Sequence, residues 1–223
     1  MKNTYFQLIN QTYYFPQEGF DLNQGSLTFH GISLMYLIEK YGTPFRLTYL
    51  PRIGDQIKKA KNFFNKAIKA NNYKGEYHYC YCTKCCHFSH VIEEALEHTV
   101  HLETSSSFDI DIIRILEAKG KINKQTILIQ NGHKTEDYLN KIVSLMDDGF
   151  ENVIPVLDSK FELDRFYAKT KGELTVGIRM AINEEPQSAY YTSRLGIRSA
   201  EIIDYYKKKK KKKKRVKLKM LHF

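Results

Sequence analysis

The sequence predicts an α/β chain built from parallel βαβ units. Three observations carry this. Short apolar or β-branched runs recur at roughly 20–30-residue intervals from Glu76 onward. Each run is followed by a segment with apolar residues at helical spacing. Polar residues recur at the ends of successive runs, as they do around a barrel mouth. Right-handed crossovers between such units give either a doubly wound sheet or a (β/α)8 barrel. No Gly-rich dinucleotide or phosphate loop follows an early strand, which counts against a dinucleotide fold. About six units start from Glu76, so a barrel would lack its last two strands.

The elements follow in order. Residues 1–30 are aromatic-rich with scattered Gly and Pro and read as an irregular arm. Residues 32–41 carry Leu34, Leu37, Ile38 and Tyr41 at helical spacing, closed by Gly42 and Pro44. Residues 45–50 read as a short strand and 57–70 as a helix. The Tyr-dense residues 76–82 read as a strand. A helix over 90–98 precedes a strand over 100–104, and a helix over 109–118 precedes one over 126–130. Helices over 135–146 and 160–169 precede strands over 152–157 and 174–182. A last helix over 200–206 leads through a lysine run to a strand over 216–223. The implied organisation is an arm and lead-in helix over 1–44, then a partial barrel domain over 45–223.

Size and composition allow one α/β domain or two small ones: 223 residues, 26.2 kDa, 42% hydrophobic and 27% charged. No run of about 18 apolar residues exists, which predicts no membrane span. Met1-Lys2-Asn3-Thr4 leads into no apolar h-region, so the expectation is a cytoplasmic protein with reduced thiols.

The net charge of +10 is local. Lys207 to Lys214 are eight consecutive lysines, followed by Arg215, Lys217 and Lys219. Without these eleven, 24 basic residues face 25 acidic ones, a net of −1. The run reads as a solvated tail, a polyanion-binding tail, or slippage in an A-rich gene tract.

All four cysteines fall in Tyr77-His78-Tyr79-Cys80-Tyr81-Cys82-Thr83-Lys84-Cys85-Cys86-His87-Phe88, with His90 close behind. Cys82-x-x-Cys85 is half of a zinc site, but no second CxxC or HxxxH lies elsewhere. The expectation is no metal, with small thiols packed beside a strand. Lys84, just past a strand end, stands where barrel active sites are built, although a strand-end lysine is also an ordinary surface residue. A lysine amine in apolar surroundings is suited to nucleophilic or Schiff-base chemistry. Later strand ends carry Glu103-Thr104-Ser105-Ser106-Ser107, Asn131-Gly132-His133 and Asp158-Ser159, then Arg179 and His222. Ser107, Asp158 and Ser159 also suit helix N-caps.

Tyr81-x-x-Lys84-Cys85-Cys86-x4-Val91-Ile92-x2-Ala95-x3-Thr99 resembles the pyridoxal-phosphate attachment signature of the ornithine/diaminopimelate/arginine decarboxylases. The family usually has Pro or Ala where this chain has Cys82. Further similar segments follow in order: Leu102 to Ser106, Ile129 to Gly132, Gly177-Ile178-Arg179, Thr192 to Gly196, and Leu221-His222-Phe223. Residues 32–44 resemble the family's lead into the barrel.

The resemblance implies a (β/α)8 barrel of the alanine-racemase type, here with about six of eight strands and without the C-terminal β-domain. It implies that Lys84 holds pyridoxal 5′-phosphate through a Schiff base, with Glu103 and Asp109 beside it and Arg179 near the cofactor's phenolic oxygen. It also implies arginine as substrate, agmatine and carbon dioxide as products, a role in polyamine biosynthesis, and a homodimer. The chain stops one residue short of a His that often stacks on the cofactor ring in the family. On this reading the chain is a truncated, inactive product, and the lysine run is a loop insertion or slippage scar. The rival is a non-catalytic zinc- or nucleic-acid-binding protein with a polylysine tail. The near-neutral body and the missing second metal half-site count against that rival.

Overall fold

The computed structural model describes residues 18–181, 196–212 and 214–223. The described residues up to Tyr49 form one unit and those from Leu50 onward another.

In the first unit β1 (Phe20–Asn23), β2 (Ser26–Phe29) and β3 (Ile32–Ser33) form a small antiparallel sheet. The described part of the expected irregular arm is therefore a pair of hairpins. Asn23 pairs with Ser26 across Gln24 and Gly25, with φ of 49° and 78°. Phe29 pairs with Ile32 across His30 and Gly31, with φ of 47° and 80°. Two successive positive φ values make each loop a type I′ turn, whose twist matches the strands it joins. Gly at the second position takes that conformation without steric cost. Helix α1 (Leu34–Tyr41) follows, and the Ser33 side chain accepts a hydrogen bond from Tyr36 N.

Residues 45–50 are not a strand. In the second unit α2 (Pro51–Ala70) begins six residues before the expected start, with Pro51 in its first turn. Proline is pre-organised for that position, because its missing N–H is unpaired there anyway. Five βα pairs follow: β4 (Cys80–Cys82) with α3 (Ser89–Leu96), β5 (His101–Thr104) with α4 (Ser107–Ala118), and β6 (Leu128–Gln130) with α5 (Glu136–Asp147). Next are β7 (Val153–Leu157) with α6 (Glu162–Lys169), then β8 (Leu174–Ala181), short β9 (Ile197–Arg198), α7 (Ser199–Lys212) and β10 (Val216–His222). The strand expected over 76–82 pairs only from Cys80. Upstream, the Tyr77 ring stacks on Phe64 of α2 at 4.0 Å, so the tyrosine density there reflects helix packing.

All pairings among β4, β5, β6, β7, β8 and β10 are parallel, and spatial order follows chain order. A doubly wound sheet reverses direction at a switch point; this one does not. The sheet is also curled. β5 and β10 are four strand steps apart, about 19 Å in a flat sheet. Yet His222 of β10 comes within 3.7 Å of Glu103 of β5. Six parallel strands wound in sequence, curled and backed by helices form an incomplete alanine-racemase-like barrel.

The core lies between strands and helices. Val91, Ile92 and Ala95 of α3, Ile110, Ile113 and Leu116 of α4, and Leu139, Ile142 and Val143 of α5 are buried at three- and four-residue spacings. All but Val91 and Ala95 cluster with Leu102, Leu128, Val153, Leu157 and Val176 of the sheet, and Ala95 packs with Ile57 of α2 and Val100.

The lysine run is not a tail. Helix α7 continues through Lys212, and β10 then pairs with β8 from Val216↔Leu174 to His222↔Arg179. Lysine is a good helix former, and cations at a helix C-terminus face the favourable end of its dipole. Like-charge repulsion four residues apart costs only a few tenths of a kcal/mol per pair.

Candidate active site

The first strand end is built by a pinned turn. Thr83 donates from both N and Oγ1 to Glu103 O, at 2.9 and 3.1 Å. Cys85 N donates to Cys82 O at 3.1 Å, and Tyr81 Oη donates to Cys86 O at 2.9 Å. Lys84 is exposed at the apex of this turn, one position beyond buried Thr83.

Glu103 gathers the neighbouring strand ends. Period-two alternation turns Leu102 and Thr104 into the buried layer and leaves Glu103 on the other face. Its Oε1 accepts from Asn131 Nδ2 at 3.0 Å and faces Cys82 Sγ at 3.8 Å. Its Oε2 stands 3.7 Å from His222 Nε2, a charge contact longer than a full hydrogen bond. His222 is the main influence holding the Glu103 carboxyl below its ordinary range. Burial opposes it, while Asn131 and the Lys84 ammonium add to the lowering. A lowered carboxyl contributes stability above its unfolded pKa and loses it as pH falls through the folded value. His222→Ala should therefore move the Glu103 midpoint upward, as read by carboxyl-carbon NMR. An unchanged midpoint would remove His222 from this role. Burial and then Glu103 push the Cys80 and Cys82 thiols up to about 11. Among the described residues no three His, Cys, Asp or Glu side chains are grouped to hold a metal ion.

Asp109 is engaged differently. Its Oδ2 accepts from Ser105 N at 2.7 Å and Ser106 N at 3.0 Å, fixing the turn from β5 into α4. The N-cap is Ser106 rather than Ser107, because Asp109 completes a capping box three residues after Ser106. The structure thus brings Glu103 together with Asn131, Cys82 and His222, and ties Asp109 to the adjoining backbone.

Arg179 lies opposite His222 in the β8–β10 register, and its Nη1 is 3.5 Å from Asp158 Oδ1. Asp158 and Ser159 are not caps: α6 starts at Glu162, after Phe161. The reason is Glu162 itself. It is buried, and its carboxylate accepts from Asp158 N at 2.9 Å and Lys134 N at 3.3 Å.

Lys134 was not visible as a site residue. Its side chain is 0% exposed, it donates from Nζ to Val156 O, and its Nζ lies 3.6 Å from Glu162 Oε2. Burial lowers its pKa, against the opposing pull of Glu162 and Asp158. In sequence Lys134 reads as an exposed residue ahead of a helix; its one signal is its place directly after the polar strand end Asn131-Gly132-His133. Tyr138 was likewise missed. Its hydroxyl is 2.8 Å from Thr104 Oγ1 and 3.2 Å from Asn131 O, bracing two strand ends from α5. Of the landmark over 192–196, residues 192–195 lie outside the described residues.

No protein-family profile matches the chain. A biosynthetic arginine decarboxylase from Prochlorococcus marinus (strain MIT 9515) is 26% identical over 194 residues, which are 81% of this chain and 29% of that protein. The chain therefore spans under a third of the length of the curated relatives it matches. The crystal structure of diaminopimelate decarboxylase from M. jannaschii in complex with L-lysine superposes with TM-score 0.76 at 14% identity, covering 92% of this chain and 47% of that one. The biosynthetic arginine decarboxylase of Campylobacter jejuni superposes with TM-score 0.64 at 20% identity, over 90% of this chain and 35% of that one. The chain is thus similar in sequence to biosynthetic arginine decarboxylases and shares the fold of the diaminopimelate and arginine decarboxylase structures.

Proposed function

We propose that this chain carries the lysine site of a pyridoxal-phosphate-dependent amino-acid decarboxylase whose substrate is arginine. The observation that carries the reading is Lys84: an exposed amine on a pinned turn at a strand end, beside an ionised carboxylate held by three strand ends. The residues present fit the cofactor. Ser105 Oγ and His222 Nδ1 are buried at strand ends without a hydrogen-bond partner in the structure, and so are available to a polar ligand. Arg179, half-exposed and steered by Asp158, offers a fixed cation to the anionic edge of such a ligand.

When bound, the cofactor supplies the electron sink for loss of the α-carboxylate as carbon dioxide. The chain's own part is positional. Lys84 provides the amine that holds the aldehyde carbon. Glu103 stays ionised at neutral pH, because Asn131 and His222 hold it, and keeps a negative charge facing the Lys84 amine. The capping box of Asp109 and the ring of Tyr138 keep those strand ends in place. Arginine is favoured because the relatives matched in sequence are named arginine decarboxylases. A homodimer, a cytoplasmic setting and a place in polyamine biosynthesis belong to the same proposal. In support, no described helix is long and apolar enough to cross a membrane.

Competition tests this reading. Pyridoxal phosphate titrated into the full chain should bind saturably, as followed by its absorbance, and Lys84→Ala should abolish that binding. Arginine should release the bound chromophore at lower concentration than ornithine, lysine or diaminopimelate. Equal release by all four would remove the arginine assignment, and saturable binding unchanged in Lys84→Ala would overturn the site.

A further inference from the structure

Cys82-Thr83-Lys84-Cys85 sets two thiols three residues apart around the site lysine. Cys82 ends β4, and the amide of Cys85 closes the turn onto Cys82 O at 3.1 Å. Such a turn holds its outer Cα atoms within about 7 Å, and a disulfide needs about 4.4–6.8 Å. Both cysteines are free. Cys85 is exposed, whereas Cys82 is partly buried with its Sγ 3.8 Å from Glu103 Oε1.

We propose that Cys82 and Cys85 form a reversible disulfide that closes around Lys84, with a small disulfide of the glutathione class as oxidant. The Cys85 thiolate attacks one sulfur of the oxidant, forms a mixed disulfide and expels one thiolate, which takes up a proton. Cys82 then loses its proton to solvent and attacks Cys85 Sγ, expelling the second thiolate. Two protein thiols are oxidised and one small disulfide is reduced to two thiols, so the electrons balance. Cys85 reacts first because it is the exposed partner. Burial and the Glu103 carboxylate keep the Cys82 thiol protonated, so the closing step speeds up as pH rises.

Closure ties Lys84 into a four-residue ring and removes the Cys82 donor from Glu103. This consequence rests on the proposed role of Lys84; the disulfide itself does not.

The test uses the full chain treated with oxidised glutathione, alkylated with N-ethylmaleimide and digested with trypsin. Cleavage after Lys74, Lys84 and Arg114 separates Cys82 from Cys85. The expected product is a reducible link between peptides 75–84 and 85–114, assigned to Cys82 and Cys85 by fragmentation in the native chain. It should be lost in Cys82→Ser and Cys85→Ser and kept in Cys80→Ser and Cys86→Ser. A link assigned to Cys80 or Cys86, or a glutathione adduct on Cys85 that never resolves, would overturn the proposal. In a second arm, pyridoxal phosphate and cyanoborohydride, which spares disulfides, label the reduced and oxidised chains. Labelling of Lys84 should fall on oxidation by up to about a hundredfold, the scale of loss when a reacting group is held out of line. Equal labelling of Lys84 in both states would overturn the gating. If Lys84 is labelled in neither state while the link forms, the disulfide stands and the decarboxylase site fails.

Discussion

Glu162→Ala should destabilise the strand-and-helix unit by about 3–5 kcal/mol, the usual cost of removing one partner from a buried ion pair. Lys134 is fully buried, and without Glu162 its ammonium keeps Val156 O and the more distant Asp158 as partners. The Asp158 and Lys134 amides lose their acceptor in the same step. A buried polar group left unpaired carries its full desolvation penalty. The pH dependence follows from the sign of the Lys134 shift. Its folded pKa is already lowered, and removing Glu162 removes an influence that raises it. The unfolded chain then binds more protons, so the variant should regain stability as pH rises. Urea unfolding followed by circular dichroism at neutral and alkaline pH measures both effects. A loss below about 1 kcal/mol would show that the pair is not the keystone of these strand ends. Lys134→Met with Glu162→Leu should recover the part of the loss that comes from the uncompensated charge, because an apolar pair of similar volume leaves no charge behind, while the two amides stay without their acceptor.

Lys84→Arg should abolish covalent retention of pyridoxal phosphate while leaving the fold intact. Arginine keeps a cation beside Glu103, and so preserves the charge that helps hold that carboxyl low. A guanidinium stays protonated and does not serve as an amine nucleophile. Lys84 is exposed and no described hydrogen bond uses its side chain, so little packing is lost. Gel filtration after cofactor loading should leave the native chain coloured and the variant colourless, with matching thermal unfolding curves. Colour retained by Lys84→Arg would place the attachment elsewhere.

The parallel βα rhythm was legible because each helix carries apolar residues at three- and four-residue spacing over a buried strand, as in Ile110, Ile113 and Leu116 over Leu102. Periodicity alone left a barrel and a doubly wound sheet open; the resemblance implied the barrel, and the pairing order and the approach of His222 to Glu103 bear it out. The first hairpins were hidden because Gln24 and His30 occupy left-handed positions where Asn or Asp is the usual signal. Lys84, Glu103, Asp109 and Arg179 were singled out because the segments around them resemble the family's motifs. Lys134 and Glu162 were not, since a buried pair is made by a loop residue and the first residue of α6, 28 residues apart, whose sequences each read as surface. The lysine run read as a loop insertion or slippage scar ahead of a last strand; the strand is there as β10, but the run continues helix α7 through Lys212.

The proposed function stands on Lys84 as the lysine that holds the cofactor. Trapping with pyridoxal phosphate and cyanoborohydride, followed by peptide mapping, tests it most directly, because every lysine competes for the same aldehyde. Label should concentrate on Lys84 at low cofactor concentration, against 26 other lysines including the Lys207–Lys214 run. Label spread over Lys207–Lys214 with Lys84 unmodified would contradict it.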